Sequence, residues 1–238
     1  INQEGMRVSG VADMLFTELL KTEPELARKI WPEDLGAPES KTIEILEKYG
    51  LMGMNPLQFI PLDNIKTALE HRYALGSYSD NNIVFSGGHD NNTNKGWYTQ
   101  DLTPEEQVVL NAFIKKMWQR MSQRDQIAVN NFLAKRGMTG NLTEKSVSTQ
   151  MMLLTTMSNA KVTAYTLQDI VRDKDGTVGL DAKSRTNHPG TWEGASDEEH
   201  RRENWVWRVY PNALTQDVEK DLLELNEISH RTPEQAIS

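Results

Sequence analysis

The sequence predicts an α/β fold in which short parallel strands carry function at their carboxyl edge, and three observations predict it. Segments with apolar residues at helical spacing alternate with short β-branched or aromatic runs. About four such runs end in polar residues and loop, as the strands of a parallel sheet do. Two carboxylate motifs, Glu33-Asp34-Leu35-Gly36 and Gly87-Gly88-His89-Asp90-Asn91-Asn92-Thr93, each follow one of these runs. Barrel enzymes present catalytic carboxylates to a sugar in this way, so two such acids point to glycoside chemistry.

Residues 10–29 set Val11, Met14, Leu15, Leu19 and Leu20 at helical spacing among charged residues, which reads as an amphipathic helix. Pro24 opens a short last stretch of it, because Pro is tolerated in a first turn but not in an interior. Residues 30–35 read as a strand that enters a loop at Gly36. A helix over Ser40–Tyr49 follows, with Ser40 as N-cap, Ile43, Ile45 and Leu46 inward and Gly50 at the C′ position. Residues 54–60 read as a strand, in which Pro56 is awkward for full pairing. A short helix at 66–73 precedes Ile83-Val84-Phe85-Ser86, the clearest β-branched strand. Thr103-Pro104-Glu105-Glu106 combines a capping Thr, Pro at N1 and Glu in the capping-box position, and starts a helix to about Arg120. Helices at Gln123–Lys135 and 146–158 come next, the second with Val147, Met151, Leu154 and Met157 on one side. A strand at 161–167 ends at Gln168 and Asp169. A last amphipathic helix at 215–229 uses Val218, Leu222, Leu223 and Ile228.

Composition narrows the function. The 238 residues carry 26 basic and 34 acidic side chains, a formal charge of −8, which argues against electrostatic capture of nucleic acid or of an anionic membrane. Six Trp, six Tyr and five Phe provide surface for a core and for stacking on sugars. There is no Cys, so neither a disulfide framework nor a thiolate metal site is available, and a reducing cytoplasm is the default compartment. No run reaches the roughly 18 apolar residues that span a bilayer. No phosphate-binding glycine motif, nucleotide signature or Ser/His/Asp arrangement occurs, and no cofactor is expected. His71, His188, His200 and His230 lack metal-ligand spacing, and Asp173-Lys174-Asp175-Gly176 lacks the rest of a calcium loop and reads as a β-turn.

The order of motifs resembles the amylomaltases, the 4-alpha-glucanotransferases of glycoside hydrolase family 77. It rests on Glu33-Asp34-Leu35-Gly36, Gly53-Met54-Asn55-Pro56-Leu57-Gln58-Phe59, His89-Asp90-Asn91 with Thr93 and Gly96-Trp97, Leu167-Gln168-Asp169, Arg185-Thr186-Asn187-His188-Pro189-Gly190, and Asn204-Trp205-Val206-Trp207-Arg208. The resemblance spans nearly the whole chain but only the C-terminal half of the family. It implies the second half, strands five to eight, of a (β/α)8 barrel with a terminal helical tail, and no separate second domain over 1–238. By that resemblance Glu33 is the general acid/base that delivers the proton, and Asp90 is the carboxylate that stabilises the oxocarbenium-like transition state. His89 and Asn187 contact the sugar, and Trp97 and Trp205 support the loops. The implied activity is disproportionation of α-1,4-linked maltooligosaccharides.

The sequence departs from the family pattern at Gly88, where Thr is usual, at Asn92, where Asp is usual, and in a longer charged stretch at 191–203. The family's nucleophile lies in an Arg-x-Asp-His motif, and no such motif occurs in the 238 residues. The expectation is that it precedes Ile1, and that the chain self-associates or docks on a missing N-terminal half to cover its open sheet edges. A truncated, non-catalytic glucan-binding half-barrel is the competing reading. Locally, Glu33 serves equally as a cap or surface acid, Asp90 as the cap of the next turn, and His89 as a hydrogen-bonded buried imidazole.

Overall fold

The computed structural model describes residues 11–34, 40–77, 79–88, 90–173, 175–180 and 215–229. Among them, three strands form one parallel sheet in the order β1 (Gly53–Pro56), β2 (Asn82–Phe85) and β3 (Val162–Ala164). Gly53 to Pro56 lie opposite Asn82 to Phe85, and Ile83 to Phe85 opposite Val162 to Ala164. Parallel neighbours need a crossover between them, and the helical segments of the sequence occupy those crossovers.

The helices are α1 (Val11–Thr22), α2 (Ser40–Tyr49), α3 (Ile65–Glu70), the single turn α4 (Asn94–Gly96), α5 (Pro104–Arg120), α6 (Gln123–Lys135), α7 (Val147–Thr156), the short α8 (Leu167–Ile170) and α9 (Gln216–Ser229). Their ends follow local chemistry. The Thr103 hydroxyl accepts from the Glu106 N–H while Glu106 accepts from the Thr103 N–H, so both members of the capping box are present at α5. Ser122 caps α6 through the Asp125 N–H. Asn64 caps α3 through Thr67 and draws its start one residue ahead of the expected position. Gly50 ends α2 at φ 63°, a left-handed conformation that Gly adopts without a Cβ penalty.

Three expected strands are shorter or absent. Residues 30–34 are irregular and form no strand: Pro32 cannot donate to a ladder, and the chain reaches them from a 3-10 turn, Pro24–Arg28. After Pro56 the expected strand at 54–60 becomes a 3-10 turn, Leu57–Phe59, whose Leu57 and Gln58 are buried. The expected strand at 161–167 keeps three paired residues, because Thr166 bonds the Asp169 side chain and begins α8 instead.

The expected one-sided pattern of residues 146–158 is also corrected. All ten residues of α7 are buried, so the helix is covered on every side. Val147, Met151 and Leu154 join one apolar cluster with Leu57, Tyr73, Trp97, Phe113 and Ile114. Met152 and Leu153 join a second with Val129, Phe132, Ile170, Val218 and Leu225. The Thr155 and Thr156 hydroxyls are satisfied within the helix by the Met151 and Met152 carbonyls, each at 2.7 Å. As the wall shared by both clusters, α7 is the element most sensitive to a cavity. Leu154→Ala is expected to lower unfolding stability by about 2–5 kcal/mol, read as a fall in the urea midpoint at unchanged slope.

α9 packs on α6 and α7. Asp221 accepts from both Arg136 and Arg172, and Glu224 pairs with Lys135 and Arg136. Leu223 is exposed, contrary to its expected inward place, and Leu225 is buried instead. At the other end of the chain, Met14 is 72% and Leu15 59% exposed, and Trp31 and Ile43 are also exposed. Ile43 was expected to face inward, and Met14 and Leu15 to form the apolar side of an amphipathic helix, so these apolar side chains are uncovered among the described residues.

Candidate active site

The site assembles where β2 ends. Ser86 closes the strand and its carbonyl accepts from the Gln58 N–H at 2.9 Å, which ties the turn after β1 to the loop after β2. Gly87 follows, and a Cβ there would lie 2.7 Å from the Gln58 carboxamide. A side chain at 87 would therefore displace the amide that holds Asn92 and Asn94. Gly88 is different: a Cβ would meet only the Asn91 side chain at 3.4 Å and the Phe85 ring at 3.9 Å, so space alone does not demand glycine there.

Asp90 sits at the tip of a tight turn and is exposed. The Asn91 N–H donates to the Gly88 carbonyl at 3.1 Å, and the Asn91 side chain accepts from the Gly88 N–H at 2.8 Å. Beyond the tip the chain dives inward, and Asn92, Thr93, Asn94 and Lys95 are all buried. Most polar groups there are paired, while the Asn94 Nδ2 is buried with no hydrogen-bond partner among the described residues. Asn92 donates to both carboxylate oxygens of Asp101 at 3.2 Å. An aspartate at 92, the residue usual in the resembled family, would set a second carboxylate against Asp101, and asparagine removes that repulsion. Thr93 caps α4 by accepting from the Gly96 N–H at 3.0 Å. The Gln58 Nε2 donates to the Asn92 carbonyl at 3.2 Å and to Asn94 Oδ1 at 3.0 Å. The Asn94 N–H donates to Asp169 Oδ1 at 2.7 Å. Lys95 pairs with Asp173 at 3.2 Å; burial works against its charge, yet Asp173 and Glu144 hold it above the ordinary lysine range.

Glu33 is exposed and belongs to the irregular segment 30–34. Its neighbour Asp34 is buried and anchors that segment, accepting from the Met54 N–H of β1 at 2.8 Å and from Arg72 at 2.7 Å. The two expected acids therefore meet the β1–β2 pair at different places, Asp90 on the loop beyond the carboxyl end of β2 and Glu33 beside an anchor on the second residue of β1. A cavity of about 430 Å³ lies toward the amino ends of these strands, lined by Asp34, Arg72, Asn55, Asn82, Ile43 and Leu46. Neither Glu33 nor Asp90 lines it.

His89 and Asn187 lie outside the described residues, as do the 185–190 and 204–208 motifs. Trp97 is buried in the first apolar cluster, in keeping with a supporting place. Asp173 to Gly176 make the expected turn: the Gly176 N–H donates to the Asp173 carbonyl at 2.9 Å, and Arg172 and Val178 bridge beside it. No group of three or more His, Asp or Glu that could hold a metal ion occurs among the described residues, and none of their helices is long and apolar enough to cross a membrane.

Gln58, Asn94 and Asp169 are site residues that sequence reasoning missed. Gln58 and Asp169 stood inside recognised motifs but carried no role, because only the fold brings positions 58, 94 and 169 together. Asp169 is fully buried, and burial pushes its carboxyl up to about 6 despite hydrogen bonds from Thr166, the Asn94 N–H and Ser86.

A family model of the 4-alpha-glucanotransferases matches residues 2–214. The 4-alpha-glucanotransferase of Thermus thermophilus is 28% identical over 229 residues, covering 96% of this chain and 37% of that protein. The chloroplastic/amyloplastic 4-alpha-glucanotransferase of Solanum tuberosum is 22% identical, covering 92% of this chain and 30% of its own length. The amylomaltase of Streptococcus agalactiae, solved in complex with acarbose, superposes with a TM-score of 0.64 at 21% identity, over 93% of this chain and 35% of that one. The chain thus spans little more than a third of the relatives it matches. Its ordered motifs, its parallel sheet and a family match over most of its length lead to one statement: the chain belongs to the 4-alpha-glucanotransferase family.

Proposed function

We propose that this chain works as part of an amylomaltase-like enzyme that transfers α-1,4-glucan segments between maltooligosaccharides by a retaining double displacement. The observation that carries the reading is the Asp90 turn: an exposed carboxylate at the tip of a loop whose buried base is hydrogen-bonded at Asn92, Thr93 and Asn94. Such pre-organisation is what charge stabilisation in a transition state needs. In the first displacement a carboxylate nucleophile attacks the anomeric carbon, the glycosidic C–O bond breaks, and Glu33 gives its proton to the leaving oxygen. In the second, Glu33 takes the proton of an acceptor hydroxyl, which attacks the same carbon and releases the nucleophile. Asp90 faces the positive charge that develops in both steps. His89 and Asn187 hold the sugar.

The nucleophile is supplied from outside these 238 residues, since no Arg-x-Asp-His motif occurs in them. The same reading makes the chain the second half of a (β/α)8 barrel with strands β1 to β3 in the places of strands six to eight. The exposed apolar side chains Met14, Leu15, Trp31 and Ile43 support a partner over the amino-terminal helices, either a nucleophile-bearing half or a second copy of this chain. The absence of Cys supports a reducing, cytoplasmic setting.

The missing motif and these exposed apolar side chains also favour a second reading, a half-barrel that binds glucan or self-associates without turnover. One experiment separates them: the chain alone and the chain fused behind a half-barrel carrying the nucleophile are assayed on maltotriose, with light scattering on each. The transferase reading expects no turnover and self-association for the chain alone, and activity from a monodisperse fusion. An inactive fusion that still binds maltooligosaccharide would leave the non-catalytic reading standing, and an active monomer of the chain alone would overturn the half-barrel.

A further inference from the structure

Asp169 is a buried carboxylate with no part in the chemistry just described, and two of its three partners, Ser86 and Asn94, belong to the frame of the Asp90 loop. Its Oδ1 accepts from the Asn94 N–H at 2.7 Å, its Oδ2 bonds the Thr166 hydroxyl, and Ser86 at the end of β2 also donates to it. Asn94 is gripped from its other side by Gln58, which bonds the Asn94 side chain and the Asn92 carbonyl with one amide. Three residues lie between Asp90 and this anchor, and the turn that carries Asp90 is closed by Asn91 on Gly88.

We infer that Asp169 is a positioning residue for Asp90, its ionised carboxylate fixing the base of the loop at Asn94 so that the turn tip is held in one place. The inference rests on the transferase reading for its catalytic meaning and on the geometry alone for its structural one. A neutral asparagine at 169 would fill the same volume and accept the same hydrogen bond without the cost of burying charge. A charged acceptor, however, makes roughly twice as strong a bond to an amide. The fold carries the more costly group where it fastens a functional loop, a trade of stability for geometry.

Charge on Asp169 is set by its surroundings, and among the described residues these supply no cation. Lys95 of α4 is engaged by Asp173 and Glu144, and Arg172 beyond α8 by Asp221. α7, packed on α8, carries no ionisable residue, nor do strands β2 and β3. Asp101 is on the far side of Asn92 and Asp90 is at the surface. With the folded carboxyl near 6 and the unfolded one near 3.8, its contribution to stability is full below about pH 4 and is lost as pH rises through about 6. The loop anchor behaves in the opposite sense, strongest above pH 6 where the group is ionised.

Asp169→Asn tests both senses. In the full chain, hydrogen exchange read as protection factors should show the Asn94 amide at least about tenfold less protected in the variant at pH 8, with α5 and α7 unchanged, while thermal stability at pH 8 is equal or higher. In the nucleophile-bearing fusion, maltotriose turnover should fall about tenfold with KM within about threefold, and the fall in wild-type turnover below pH 6 should vanish. Unchanged protection at Asn94, or loosening of all amides together with lower stability at pH 8, would overturn the positioning role. An inactive wild-type fusion would count against the transferase reading only, and the exchange result would still decide the inference. Should the variant fail to fold, the wild-type chain serves: its Asn94 protection should drop between pH 7 and pH 5 while α5 holds, and a flat profile refutes the idea.

Discussion

Glu33→Gln, made in the nucleophile-bearing fusion, is expected to lower maltotriose disproportionation by about 100- to 10,000-fold with little change in substrate binding. Proton transfer to the leaving oxygen takes place only in the transition state, so its loss appears in turnover rather than in KM. Glu33 is exposed and its segment is anchored by Asp34 on Met54 and Arg72, so glutamine at 33 removes the proton donor without disturbing a buried contact. Near-normal turnover would show that Glu33 is a surface acid and that the donor is elsewhere.

Asp90→Asn is expected to cost roughly 100- to 1,000-fold for a different reason, the loss of negative charge beside the developing oxocarbenium ion. A maltotriosyl fluoride donor separates the two acids. Fluoride leaves without protonation, so the first step of Glu33→Gln should recover most of its lost rate, while Asp90→Asn, whose defect is in charge stabilisation, should recover little. Equal recovery of both variants would mean that the roles are wrongly divided. The turn is closed by Asn91 on Gly88, and the segment beyond it is held by Asn92 on Asp101, Thr93 on Gly96 and Asn94 on Asp169, all of which remain in the variant.

Helix boundaries were legible because their signals are local. Thr103-Pro104-Glu105-Glu106 contains its own cap, and the capping box forms as read. Gln123–Lys135 matches because Ser122 before it and Gly137 after it stop the helix at both ends. Gly50 takes the left-handed conformation that its place after Tyr49 predicted. Strand lengths were not legible. Pro56 ended β1, Thr166 diverted the chain into α8, and residues 30–34 found no pairing partner, since a strand exists only where another strand accepts its hydrogen bonds. The exposure of Met14, Leu15 and Ile43 was not legible for a related reason: periodicity shows which residues share a helix face, and only packing shows whether anything covers it.

By itself the sequence determined the α/β alternation, the helix ends, the family and the two acids to test, because capping chemistry, periodicity and motif order are all properties of neighbouring residues. The tertiary structure decided which polar groups support the Asp90 loop. Gln58, Asn94 and Asp169 lie in short turns and helices that follow three different strands, separated by 36 and 75 positions, and meet only when β1, β2 and β3 align in parallel. Burial of α7 on every side was decided there as well, by two apolar clusters that meet across it. The physical reason is the same in both cases: hydrogen-bond partners and desolvation are set by what lies across space, and that is fixed only once the strands have paired.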